Sequence, residues 1–214
     1  TALIGPNGAG KTTVFDCISG LLLADSGSVQ LKGHELIGCP AHQIANYGLA
    51  RTFQSVRLFK NLTITEHFQL ISDQNDESLW RGLWRGYEPP PSDRTNEIIR
   101  SYGIERDAET RVADLSYGQR KLLDLALAVT RPHAIILLDE PVAGVNALVQ
   151  AKIEALLLGL RSSGETMLII EHDMEFVRKL ADQAVVMDAG KILVTGTPEE
   201  TLANQEVLKA YLGL

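Results

Sequence analysis

Eight residues near the start of the chain, Gly5-Pro6-Asn7-Gly8-Ala9-Gly10-Lys11-Thr12, carry the spacing G-x-x-x-x-G-K-[ST] of a phosphate-binding P-loop. They sit between an apolar run, Ala2-Leu3-Ile4, that reads as the end of a buried strand, and a stretch with helical periodicity. A motif in that context dictates a strand, a glycine turn and a packed helix, which is an α/β arrangement. Glycines at 5, 8 and 10 let backbone N–H groups turn inward around an anion, and the following helix aims its positive dipole end at the same place. The helix is predicted over Thr12 to Leu23, with Val14, Ile18, Leu21 and Leu22 packed on the strand. Lys11 is placed to reach β- and γ-phosphates, and the Thr12 hydroxyl to ligate Mg²⁺. The plain alternative is a glycine-rich turn that binds nothing, and the combined spacing and context argue against it.

With 214 residues, 45% of them hydrophobic, the chain can bury a substantial core, as one unit or as a core with one subdomain. A formal charge of −7 argues against a broad nucleic-acid-binding surface. Cys17 and Cys39 have no metal-ligand spacing and point to a reducing compartment. No apolar stretch approaches the roughly 18 residues that span a bilayer, and there is no signal-like start, so any membrane role runs through a partner. The chain opens on Thr1 within a strand, so upstream residues, including amino-terminal strands of the core, are expected to be missing.

Past the P-loop helix, Ser28 to Lys32 and the Gly33-His34 turn form a short antiparallel element. From about Thr63 to Thr130 the pattern is mainly helical, with a polar, aromatic-spotted excursion from Asp73 to Asn96 around Pro89-Pro90-Pro91. Ala134 to Leu138 and Thr166 to Ile170 are continuous apolar runs flanking a helix, Ala147 to Leu160. Such runs suit strands buried on both faces, and strand, helix, strand implies a parallel sheet. A helix (Met174 to Ala181), two strands (Ala184 to Met187 and Ile192 to Thr195) and a final helix opened by Thr197-Pro198-Glu199-Glu200 complete the chain. This gives a core over 1–62 and 131–214 and a helical subdomain over 63–130.

Asp139 and Glu140 stand at the carboxyl end of an apolar strand, where ligands bind in open α/β sheets. Asp139 suits a Mg²⁺ that keeps part of its water shell, and Glu140 suits alignment of an attacking water with a γ-phosphate. The segment Leu115-Ser116-Tyr117-Gly118-Gln119 opens a helix rich in Leu and Ala. Ser116 is a good N-cap, yet Arg120 and Lys121 put cations in the first turn, where the dipole prefers an anion. Either these cations are simply solvated or the helix start awaits an external anion.

The order of P-loop, Gln54, Leu115 to Gln119, Asp139-Glu140 and His172 resembles the ATP-binding cassette of ABC transporters over nearly the whole chain. Arg51-Thr52-Phe53-Gln54, Leu115 to Gln119, Asp139-Glu140-Pro141-Val142-Ala143-Gly144-Val145-Asn146 and Glu171-His172-Asp173-Met174 are most similar to ATPase subunits of branched-chain amino acid, urea or amide importers. The resemblance implies a P-loop NTPase fold of ABC type: a mainly parallel core sheet, a helical subdomain and a small antiparallel element. It implies ATP and Mg²⁺ as cofactors, with Gly5, Pro6, Asn7, Gly8, Ala9, Gly10, Lys11, Thr12 and Thr13 around the nucleotide. Thr12, Gln54 and Asp139 are then the metal ligands, and Glu140, His172 and Gln54 the hydrolytic residues. Ser116, Tyr117, Gly118 and Gln119 act on the nucleotide of a second ATPase subunit, identical or paralogous. Tyr117 stands where the commonest signature has glycine, and Asn146 where an aspartate is usual. The implied partners are membrane permease subunits, docked through Arg51 to Leu62 and nearby helical residues, and indirectly a periplasmic or extracellular solute-binding protein. Nucleic acid is not among them, and the implied location is the cytoplasmic face of the inner membrane.

An aromatic upstream of the P-loop is expected to stack on adenine, outside this chain, and Phe15 is expected to be core. Trp80 and Trp84, beside Arg81 and Arg85, share a helix face that is either subdomain packing or a docking surface. The competing function is a non-transport ABC ATPase of DNA repair or translation. Against it, no long coiled-coil insertion and no second cassette occur.

Overall fold

A computed structural model of the chain describes residues 1–72 and 92–212. Trp80, Trp84 and the triple proline lie outside the described residues. The chain divides into two compact units: 1–54, 132–143 and 154–214 form the first, and 55–131 with 144–153 the second.

The first unit is built on a six-stranded sheet in the order β4-β5-β6-β1-β7-β8. Its strands are β1 (Ala2–Ile4), β4 (Leu49–Arg51), β5 (Ile135–Asp139), β6 (Met167–Ile170), β7 (Ala184–Asp188) and β8 (Lys191–Gly196). All neighbours run parallel except β7 and β8, which form an antiparallel edge. Period-two alternation sends successive residues of β1 to opposite faces. Leu3 joins Ala9, Phe15, Leu36, Ile44, Leu49, Leu137, Ile170 and Met187 on one side. Ala2 and Ile4 join Val177, Ala181, Ala184, Val186 and Val207 on the other. A strand covered on both faces must be apolar throughout, which is why these strands read as unbroken runs.

Helix α1 (Lys11–Ile18) follows β1 and ends earlier than its apolar pattern suggests. Gly20 turns the chain at φ +71°, where an added Cβ would meet the Cys39 carbonyl oxygen at 2.7 Å. Leu21, Leu22 and Leu23 are consequently 50%, 47% and 73% exposed rather than packed on the strand. The small antiparallel element is β2 (Gln30–Leu31) paired with β3 (His34–Glu35). Its turn residues are Lys32 and Gly33, both with positive φ, the conformation that matches the twist of a two-residue hairpin. Helix α2 (Ala41–Asn46) leads into β4, an edge strand absent from the sequence reading because only Leu49 of its three residues is buried and Leu49-Ala50-Arg51 makes no apolar run.

In the second unit, α3 (Ile64–Ser72), α4 (Ser92–Ser101) and α5 (Tyr117–Thr130) pack together around Ile64, Phe68, Ile99, Leu122 and Leu123. Helix α6 (Ala147–Ser162) begins in this unit and continues into the first. Helices α7 (Met174–Leu180), α8 (Pro198–Leu202) and α9 (Gln205–Leu212) belong to the first unit, and Thr197 closes a capping box with Glu200 at the start of α8.

Candidate functional site

The turn from β1 into α1 uses backbone that other residues cannot supply. An added Cβ on Gly5 would lie 2.0 Å from the Met187 carbonyl oxygen, and Gly10, at φ +96°, takes the N-cap position of α1. Among the described residues no side chain caps α1, so its first N–H groups are open to an external acceptor, while Gly8 at φ +83° has no non-neighbouring atom of those residues within 4 Å of an added Cβ. Thr12 and Thr13 are exposed in the first turn. Lys11 folds back into the loop, its ammonium donating to the Gly5 and Pro6 carbonyls at 2.7 and 3.0 Å. Burial pulls its pKa below the usual lysine range, and the charges of Glu140 and Asp139 oppose that pull.

Asp139 ends β5 and is 4% exposed. Glu140 follows with φ +46°, a left-handed conformation that costs a non-glycine residue on the order of 1 kcal/mol or more. Its N–H donates to Ile170 O at 3.0 Å, tying the turn to the adjacent strand. Gln54 Nε2 donates to Glu140 Oε2 at 2.7 Å. His172 Nδ1 lies 3.9 Å from Glu140 Oε1, its side chain exposed. A cleft of about 430 Å³ is lined by Gly5, Pro6, Asn7, Gln54, Glu140, His172 and Tyr211. The acid, the amide, the imidazole and the glycine loop are therefore gathered in one place, as a γ-phosphate and an attacking water would need.

Two lining or supporting residues lie beyond the sequence reading. Tyr211, from α9, lines the cleft, and the Gly5 amide hydrogen-bonds its phenol while burial raises the phenol pKa. A lone tyrosine near the chain's end gives no local signal of this. Glu171 is fully buried behind His172 and accepts from the N–H groups of His172 at 3.1 Å and Val142 at 3.4 Å. Burial pushes its pKa up, against those hydrogen bonds. An acid directly after an apolar strand was the available signal.

Ser116, Tyr117, Gly118 and Gln119 belong to the second unit. Ser116 Oγ accepts from Gln119 N at 3.2 Å, and Gln119 Oε1 accepts from Ser116 N at 3.0 Å, a complete capping box. Lys121 is buried rather than solvated. Gly118 leaves room for Val149, whose Cγ2 would lie 2.7 Å from an added Cβ, whereas a Cβ on Gly144 would only come into ordinary contact with the Tyr117 ring at 3.4 Å. Asn146 Oδ1 accepts from Val149 N at 3.0 Å, so the asparagine caps α6 as an aspartate would.

A family model described as "ABC transporter" matches residues 1–143. The chain belongs to the ABC transporter family. This ABC transporter chain is 40% identical over 220 residues to the high-affinity branched-chain amino acid transport ATP-binding protein BraF of Pseudomonas aeruginosa, covering 99% of the chain and 86% of the relative. It is 37% identical over 222 residues to the like-named LivG of Escherichia coli, with the same coverage of 99% and 86%. The fold superposes on a nucleotide-free ATP-binding cassette from an ABC transporter with a TM-score of 0.81 at 29% identity, covering 100% of this chain and 87% of that one. An ADP conformation of an ABC cassette gives 0.80 at 29%, covering 100% and 88%. Among the described residues, no helix of this ABC transporter protein is long and apolar enough to cross a membrane.

Proposed function

We propose that the cleft receives the triphosphate of ATP on the loop Gly5 to Thr13, and that Glu140, Gln54 and His172 carry out its hydrolysis. The chain is the ATP-hydrolysing motor subunit of an ABC importer, and we infer branched-chain amino acids as the solute from its relatives. The observation that carries the residue assignment is the convergence of Glu140, Gln54, His172 and the P-loop on one cleft.

The backbone amides of the loop and the uncapped start of α1 hold the phosphates, and Lys11 leaves its two carbonyl partners to meet the β- and γ-oxygens. Glu140, held by Gln54, accepts a hydrogen bond from a water and aligns it with the γ-phosphorus. The water oxygen forms the new bond as the bond from phosphorus to the bridging oxygen breaks; ADP leaves, and Glu140 takes the proton. His172 hydrogen-bonds the γ-phosphate and the water. Thr12, Gln54 and Asp139 offer oxygen donors alone, a set that fits Mg²⁺ with part of its water shell retained. Bound Mg²⁺ would supply charge neutralisation at the β- and γ-phosphates.

The Ser116 turn is assigned to the nucleotide of a second cassette, which makes the working unit a dimer on the cytoplasmic side of permease subunits. The test is reconstitution with permease and solute-binding protein in vesicles. Leucine, isoleucine or valine should stimulate ATP hydrolysis, and Glu140→Gln should abolish the stimulated rate. Stimulation by urea or amides alone would overturn the solute, and a fully active Glu140→Gln the catalytic assignment.

A further inference from the structure

Arg51 has no part in the chemistry above, yet it is gripped by several groups. It ends β4, just ahead of Gln54, with its side chain 6% exposed, so it is no part of an exposed docking stretch. Its guanidinium lies over the rings of Phe53 and Phe15, 4.8 and 5.6 Å from their centroids. Nη1 donates to Ser19 Oγ at 2.5 Å, and Nη2 meets Asp16 Oδ1 at 2.8 Å; both partners lie on or just past α1. The same Nη2 stands 3.7 Å from Asp139 Oδ2, within ion-pair range though too long for a hydrogen bond. Nε is buried and has no hydrogen-bond partner among the described residues.

Fold stability alone would be served by Asp16, Ser19 and the two rings. The approach to Asp139 is the additional fact, because it brings a fixed positive charge beside the buried strand-end acid read above as a metal ligand. A carboxylate with so little solvent keeps one orientation only where fixed partners hold it. One planar group here touches the P-loop helix and the strand-end acid together, and the backbone joins it to Gln54. A lysine offers a point charge without the fork or the stacking, and cannot hold the same three elements in register.

We propose that Arg51 is a positioning residue for the metal subsite, fixing Asp139 relative to the P-loop helix and to Gln54. This inference rests on the reading of Asp139 as a Mg²⁺ ligand. The test is binding of a fluorescent ATP analogue to the full chain in EDTA and across a Mg²⁺ series, for wild type, Arg51→Lys, Asp16→Asn and Asp139→Asn, with melting temperatures recorded. In EDTA the variants should bind the analogue within about twofold of wild type. The Mg²⁺ concentration for half-maximal enhancement should rise about tenfold in Arg51→Lys and about threefold in Asp16→Asn, where the Arg51 guanidinium keeps its charge but its ion pair with residue 16 is reduced to a neutral hydrogen bond. A wild-type Mg²⁺ requirement in Arg51→Lys, or an affinity loss equal with and without Mg²⁺, would overturn the positioning role. Should Arg51→Lys fail to fold, Asp16→Asn decides alone, since its side chain is 33% exposed and its loss is tolerable; an unchanged Mg²⁺ requirement there overturns the role. An unchanged requirement in Asp139→Asn would overturn the reading of Asp139 itself, and the role of Arg51 with it.

Discussion

Glu140 combines a proposed catalytic carboxylate with a backbone conformation that its side chain disfavours, at φ +46°. The two effects separate by substitution. Glu140→Gln keeps the strain and the shape and should bind ATP normally while turnover falls by about 10² to 10⁴, measured as phosphate release. Glu140→Gly should lose turnover equally but melt at higher temperature, since relief of left-handed strain contributes about 1 kcal/mol. Asp124, on α5, presents a different conflict. Burial raises its pKa to about 6 from an ordinary 3.8, with Lys121 opposing. Below about pH 3 the carboxyl is protonated whether folded or not. As pH rises toward 6 the unfolded chain ionises first, so stability falls across that window and stays lower above it. Asp124→Asn should therefore raise the melting temperature by about 5 °C at pH 7.5 and leave it unchanged at about pH 3, a difference that calorimetry would detect.

Among elements, the start of α5 is shaped by close packing as much as by its cap. Gly118→Ala should clash with Val149, costing about 1 to 3 kcal/mol, and Val149→Ala should recover most of that in the double variant. Additive losses in urea melts would show that the contact is not shared. The sequence made this helix legible through Ser116, because an N-cap is a local code, while the Gln119 half of the capping box emerges only in the structure. It equally disclosed β1, β5 and β6, whose burial on both faces leaves unbroken apolar runs. It hid β4, whose edge position leaves only Leu49 buried, and overextended α1, because Leu21 to Leu23 continue the apolar pattern after Gly20 has already turned the chain. The glycine loop and the acid pair were readable for the same reason as the cap, each being contiguous. Tyr211 and Arg51 were not, since their significance comes from partners remote in the chain.

At the level of the whole molecule, the assignment of the Ser116 turn to a partner's nucleotide makes a complementation prediction. Ser116→Arg should bind ATP as wild type and hydrolyse none, and Lys11→Ala should fail to bind. A mixture of the two variants should regain one competent site per heterodimer, read as ATPase activity absent from either alone. Loss of nucleotide affinity in isolated Ser116→Arg would instead assign the serine to its own chain's site. The strand order β4-β5-β6-β1 carries a last consequence. Gln54, Glu140, His172 and the P-loop each leave the carboxyl end of a successive strand, and neighbouring strands stand about 4.8 Å apart. The sheet thus works as a ruler whose graduations are set by backbone hydrogen bonds rather than by the side chains filling either face. Trimming the filling should soften the material without moving the marks. Ile136→Val, at a fully buried position, should cost about 1 kcal/mol and lower the melting point by about 2 to 4 °C, while kcat per folded molecule stays that of the wild type.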